Sequence, residues 1–281
     1  MFRFLNNVKT AMLLAALMAL FIYVGNLIGG RNGMIIALLL GGGMNIVAYY
    51  FSDKIALATM RAVEVSPNDA PEIYQLVREL AVRANLPMPK VYIAPTQVPN
   101  AFATGRNPKH AVVCLTQGII RMLDKRELAG VIGHELAHIK HYDMLISTVA
   151  ATIAGAISML GYLLWFVPIG GDDDDGNPLA ALAMIILAPI AAALIQMAIS
   201  RKREFNADSY SAELLGDPLP LASALEKLET MNKQMPMKLV NPAQENLFIV
   251  QPFTGETITK LFSTHPPVKE RIKALIGRES I

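Results

Sequence analysis

His134-Glu135-Leu136-Ala137-His138 sets two imidazoles and a carboxylate at the spacing of one helical turn. In an α-helix, residues i and i+4 stack on one face, so both rings can reach a single ion. Glu135 flanks the pair, where it can take a proton from a water activated by the metal. This is the chemistry of a hydrolytic zinc site. Such a site takes three protein ligands and keeps a fourth position for water. His110, His141, His265 and a set of acidic residues are candidates for the third.

Geometry separates these candidates. An uncharged stretch begins at Met144 and another ends at Ser200. With continuous helices, His138 lies ~9 Å before the first stretch and Glu204 ~6 Å beyond the second. Antiparallel neighbours would then hold the two side chains at similar height, which makes Glu204 the expected third ligand. His141 shares a face with His134 but lies ~10 Å further along the axis, awkward for one ion with bonds of ~2 Å. It reads instead as an exposed residue at a membrane surface. Asp208, one turn beyond Glu204, either orients a zinc-bound His or is a plain helix-surface charge. Arg201-Lys202-Arg203 reads as an anchor among lipid headgroups.

The elements that must position these residues are unusually apolar. The chain has 281 residues, 53% hydrophobic and 17% charged, with a mean hydropathy of +0.38, too high for an ordinary soluble domain. Residues 10–30, 32–52, 144–171 and 176–200 are free of charge, and each stretch exceeds the ~20 residues that cross a bilayer core. Arg3 and Lys9 precede the first stretch, as in a signal peptide. Its length, and the second span after Arg31, favour a retained hairpin over residues 10–28 and 33–51. Gly41-Gly42-Gly43 would let those helices pack closely. The expected organisation is a transmembrane hairpin (1–52), a catalytic segment (53–143), a second hairpin with an acidic loop (144–200) and a second catalytic segment (201–281).

Four spans put every Lys and Arg except Arg31 on one side of the membrane. The positive-inside rule makes that side, with both termini and the H-E-x-x-H segment, cytoplasmic. The acidic run at 172–175 falls in the opposite loop and reads as a solvated turn. A single cysteine, Cys114, excludes an intrachain disulfide and suits a reducing compartment; its apolar surroundings mark it as core. A net charge of +2 gives no reason to invoke nucleic acid.

Ile73, Leu76, Val77, Leu80 and Ala81 recur at helical spacing and predict a helix over 69–85. Residues 90–94 and 110–115 read as strands, with a short extended piece at 100–104 between Pro99 and Gly105. Asp124 and Glu127 form a capping-box pattern that starts the H-E-x-x-H helix. Further helices are expected at 201–215, 219–231 and 266–276. The fold class that emerges is an α-rich integral membrane protein with four transmembrane helices. It carries a small α+β zincin-like catalytic domain built from two cytoplasmic segments.

Four motifs in order, G-H-E-L-A-H-I-K-H at 133–141, R-E-F-N-A-D at 203–208, P-N-A-F-A-T-G at 99–105 and S-T-H-P-P at 263–267, resemble the HtpX membrane zinc proteases over nearly the whole chain. The resemblance implies a zinc endopeptidase of the bacterial inner membrane, with one zinc ion per subunit and its active site in the cytosol. Its implied partners are the bilayer and damaged or misassembled membrane proteins under stress. Self-association or association with other quality-control proteases is compatible with it. His134, His138 and Glu204 would be the ligands and Glu135 the catalytic base. Asn100, Ala101, Phe102 and Ala103 resemble an edge strand that pairs with substrate backbone, or else form a plain core strand with Phe102 buried; both can hold. His265 looks like the residue that steadies the developing oxyanion, with Arg271 close by; the lesser alternative is a local cap for the helix at Pro266.

Two other classes compete. A membrane adaptor or chaperone with a structural zinc would not need an acid beside its ligands, so Glu135 weighs against it. A CAAX-type prenyl protease has similar zinc motifs but more spans than the four found in this chain. An intramembrane protease fits less well, because H-E-x-x-H precedes the third apolar stretch.

Overall fold

A computed structural model describes residues 2–147, 149, 201–234, 266–278 and 280. The first apolar region is helical, α1 (Phe2–Thr59), but it doubles back at Gly30, whose φ of 56° lies in the left-handed region that glycine enters without a Cβ clash. The two arms touch. Asn45 Nδ2 donates to Leu14 O at 3.0 Å, and a Cβ on Gly41 would meet Phe21 and Met18 at 3.2 and 3.3 Å. The two arms therefore fold back on each other as a helical pair. Among the described residues no single helix is long and apolar enough to cross a membrane; one bent pair, Gly30–Val47 with Tyr49–Thr59 at 65°, meets the criterion by length and composition.

A four-stranded mixed sheet follows, with β1 (Val63–Glu64), β2 (Lys90–Ala94), β3 (Ala101–Thr104) and β4 (Val112–Thr116) in the order β1-β2-β4-β3. β2 and β4 are parallel, while β1 and β3 pair antiparallel at the two edges. The strand expected at 110–115 begins two residues later, because Pro108–His110 forms a 3-10 turn in which Asn107 accepts from Lys109 N–H. Alternation along β4 sorts its residues between two cores. Val113 and Leu115 join the main core, and Val112 and Cys114 pack with Phe102, Ala56 and Leu57 at the end of α1.

The main core lies between the sheet and a layer of helices: α2 (Pro71–Arg83), α3 (Gln117–Met122), α4 (Lys125–His141), α5 (Arg201–Leu215), α6 (Leu219–Gln234) and α7 (Val268–Ile276). α4 is the central element. Its capping box forms as expected, with Asp124 accepting from Arg126 and Glu127 N–H and Glu127 accepting from Asp124 N–H. Glu127 also accepts from Ser223 Oγ at 2.6 Å and pairs with Lys227 Nζ at 2.6 Å, which fastens the start of α4 to α6.

α4 and α5 meet along small residues. Ser211 Oγ donates to Gly130 O at 2.6 Å, and a Cβ on Gly133 would lie 2.8 Å from that hydroxyl. Glu204, Ala207, Asp208 and Ser211 are the buried residues of α5, at the i, i+3, i+4, i+7 spacing of a single stripe. A Cβ on Gly130 would lie 2.7 Å from the backbone N of Leu221, which cannot swing aside. Gly130→Ala raises helix propensity by ~1 kcal/mol in an exposed helix. Here overpacking against the α6 backbone reverses the sign, with an expected net loss of ~1–2 kcal/mol. A thermal melting point at or above wild type would refute the close approach.

The helix does not run unbroken into the third apolar stretch as expected. α4 stops at His141, and Tyr142 adopts a left-handed conformation (φ 60°, ψ 32°). Its N–H and that of Asp143 close onto Ile139 O and His138 O at 3.2 and 2.9 Å, satisfying carbonyls that the helix end leaves open. Helical backbone resumes at Met144. Most of the third stretch, the fourth stretch, the acidic run at 172–175 and His265 lie outside the described residues.

Candidate metal centre

His134 and His138 emerge from α4 one turn apart, and the buried stripe of α5 brings Glu204 against them. Their ligand atoms lie within 4.8 Å of one another. The separations are 3.2 Å between the two Nε2 atoms and 3.6 Å from each Nε2 to a Glu204 carboxylate oxygen. Ligands at ~2.0–2.1 Å around a tetrahedral ion stand ~3.3–3.4 Å apart. Two imidazole nitrogens and a carboxylate oxygen at this spacing therefore fit zinc in both donor type and size. His141 is not among them. It is half-buried rather than exposed, its ring 5.9 Å from that of Tyr210, and burial lowers its pKa.

The outward nitrogens are both held. His134 Nδ1 lies 2.9 Å from Asp208 Oδ1, so Asp208 is buried against the ring and is not a plain helix-surface charge. Asp208 in turn takes a bidentate pair from Arg271, with Nε at 2.8 Å and Nη2 at 2.6 Å. Both partners are buried, and Arg271 is fully so. Burial alone would raise the Asp208 carboxyl, but Arg271 and His134 hold it below the usual carboxylate range. Arg271 Nη1 also approaches Glu204 Oε2 at 3.9 Å, so one guanidinium offsets two buried carboxylates. Burial lowers the His134 pKa despite Asp208, which keeps the ring neutral and suited to ligation.

Asp143 has no counterpart in the sequence reading. The left-handed turn at Tyr142 swings it back so that Oδ2 lies 3.4 Å from His138 Nδ1. Arg203 Nη1 sits 3.5 Å from its other oxygen, so Arg203 points into the protein; Arg201 and Lys202 alone keep the exposure expected of headgroup anchors. Burial disfavours a charged His138, but Asp143, Glu204 and Glu135 outweigh it and raise its pKa to about 9. Metal-free, the cluster gathers compensating positive charge as a proton on His138, a role that a bound cation would take over. Asp143→Asn is expected to weaken zinc retention ~10–100-fold, measured by competition with a chelator of known affinity. Retention equal to wild type would leave Asp143 without an orienting role.

Glu135 projects beside the ligands toward the free side of β3, where the Ala103 N–H donates to its carboxylate. It is 4% exposed. Burial raises its pKa to about 7, aided by Glu204 and opposed by His138, the Ala103 N–H and Arg271. Of the two readings of residues 100–103, the plain strand with Phe102 in the core is the one seen. β3 is an edge strand of the sheet, and Phe102 is buried beneath it. Asn100 precedes the strand and is fully buried, its N–H donating to Thr116 Oγ1 at 2.8 Å.

Residues 67–279 match the model of peptidase family M48. The chain is 54% identical over 276 residues to a protein named "Protease HtpX homolog" from Burkholderia thailandensis, covering 96% of each, and matches relatives of that name from Burkholderia mallei equally well. Among solved structures it resembles S. mikatae Ste24p, with a TM-score of 0.52 and 17% identity; 98% of this chain aligns with 66% of that one, a likeness of fold alone.

Proposed function

This chain belongs to peptidase family M48, a metallopeptidase homologous to HtpX proteases with a His134/His138/Glu204 metal site, and from that premise we propose that it is a zinc endopeptidase of the bacterial inner membrane that cleaves misfolded or damaged membrane proteins at the cytoplasmic face under stress. The observation that carries the zinc assignment is the 3.2–3.6 Å triangle of two imidazole nitrogens and a carboxylate. One zinc per subunit fits it. Four apolar stretches, the turn at Gly30 and the placement of every Lys and Arg except Arg31 on one side support a four-span chain with cytoplasmic termini. The organisation proposed is two hairpins, 1–52 and 144–200, alternating with catalytic segments 53–143 and 201–281. Core contacts between α4 and α6 join those segments into one domain.

His134, His138 and Glu204 would hold the zinc, which would supply a Lewis acid for activating water and polarising a peptide carbonyl. Glu135 is the base that takes the water proton and returns it to the leaving amine. Its raised pKa suits both halves of that exchange. Asp208 and Asp143 fix the ring orientations of His134 and His138, and Arg271 keeps Asp208 ionised. The outer edge of β3 offers backbone groups to an extended substrate, and Ala103 N–H already faces Glu135. A peptide laid along residues 101–103 therefore passes over the base. His265 is assigned to the oxyanion by family resemblance.

The test is cleavage of an unfolded membrane protein in detergent, before and after chelation and after adding back one equivalent of zinc. Chelation should abolish cleavage and zinc restore it. A soluble peptide cleaved as fast as a membrane-tethered one would defeat the membrane-substrate part of the proposal while leaving the zinc peptidase intact.

A further inference from the structure

A cavity of about 490 Å³ lies where the end of α1 meets the loop after β3. Its walls include Tyr50, Phe51, Asp53 and Lys54 from α1, and Arg106 and His110 from the loop. Lys54 Nζ lies 5.1 Å from the Phe51 ring centre, and the Arg106 guanidinium lies 5.7 Å from that of Tyr50. Lys54 is exposed and Arg106 half-buried, and among the described residues neither is in an ion pair. Asp53 is the one carboxylate in the wall, and it accepts from the Lys54 backbone N–H at 2.8 Å rather than from a side-chain cation. His110 Nδ1 is engaged with Asn107 Oδ1 at 2.9 Å. Two cations thus face one carboxylate across a cavity walled by aromatic rings.

The position supplies the ligand class. The uncharged stretch 32–52 ends within this wall, and charge begins at Asp53 and Lys54. Aromatic side chains followed at once by Lys or Arg mark the level of lipid headgroups. We propose that this cavity binds the phosphodiester of an anionic phospholipid between Lys54 and Arg106, with the acyl chains lying along the second arm of α1. Exposed Ile46 and Val47 on that arm lead up to it. The site would join the hairpin to the segment that carries the substrate edge, since Arg106 follows Thr104 of β3 by two residues. The proposal rests on the membrane reading above.

The full chain is reconstituted in phosphatidylcholine vesicles, with and without phosphatidylglycerol, and retained lipid is counted by mass spectrometry after gentle extraction. Incorporation is scored separately by flotation. Phosphatidylglycerol should be retained over phosphatidylcholine, and Lys54→Gln with Arg106→Gln should cut that preference by about ten-fold or more, at roughly five-fold per basic residue. Asp53→Asn should increase it, a gain that misfolding cannot produce. Zinc content equal to wild type reports an intact fold in each variant. Equal retention of the two lipids, or variants with unchanged preference, would overturn the site. Displacement by millimolar inorganic phosphate would overturn the lipid assignment in favour of a free-phosphate site. Failure to float with any vesicle would instead bring down the membrane reading on which the proposal stands.

Discussion

Glu135→Gln lowers peptide-bond cleavage by ~10²–10⁴-fold and leaves metal content at the wild-type level. The amide keeps the shape of the carboxylate, and its oxygen can still accept from the Ala103 N–H, but it cannot carry a proton from water to the leaving amine. None of the three ligand atoms belongs to Glu135, so the metal stays. Stability should move the other way. Burial raises the Glu135 pKa from 4.5 to about 7 in the metal-free protein. An acid raised on folding costs stability progressively as pH climbs through that interval, and the cost persists above it. Glutamine removes the cost, so metal-free Glu135→Gln should melt no lower than wild type at pH 8. Cleavage within a few-fold of wild type, or loss of zinc, would remove Glu135 from the role of base.

Arg271→Ala should be the most destabilising single change. It leaves Asp208 buried with its charge uncompensated and removes a cation 3.9 Å from Glu204. Breaking one side of a buried pair costs ~3–5 kcal/mol, a large share of the ~5–15 kcal/mol that holds a typical domain together. Zinc retention should fall as well, because an unpaired Asp208 no longer holds the His134 ring. The pairing itself is tested by a double-mutant cycle. Asp208→Asn with Arg271→Met should recover a substantial part of the stability lost in Arg271→Ala, because neither charge is then stranded. Additive losses would mean that Arg271 acts through some other contact.

The parts of this site that were legible from sequence are those built by local rules. The i, i+4 pair His134 and His138, the Asp124–Glu127 capping box and the hairpin around Arg31 each depend on a few neighbouring residues. Glu204 was found by counting rise from two stretch ends, although one premise, an unbroken helix past His141, is wrong. The estimate survived because α5 packs against α4 directly through Ser211, Gly130 and Gly133, and needs no continuous span to align it. What sequence reasoning missed was tertiary or turned on one backbone angle. Asp143 reaches His138 only because Tyr142 takes a left-handed conformation, rare for a bulky residue. A clue was present, since an aspartate directly before an apolar helical run often marks a new helix start. The partner of Asp208 could not be read locally, because Arg271 lies 63 residues away.

That separation has a consequence in time. The finished metal cluster draws on α4, α5 and α7, and His134 and Arg271 are 137 residues apart. At a synthesis rate of roughly 5–20 residues per second, ~7–27 s pass between them. Through that interval the base and two ligands exist without the carboxylate that closes the triangle, and then without the cation that steadies it. Until α7 docks, Asp208 and Glu204 therefore stand without the guanidinium that offsets their charge. For a metallopeptidase this delay means that the unfinished polypeptide carries an incomplete metal centre until its last helix is in place.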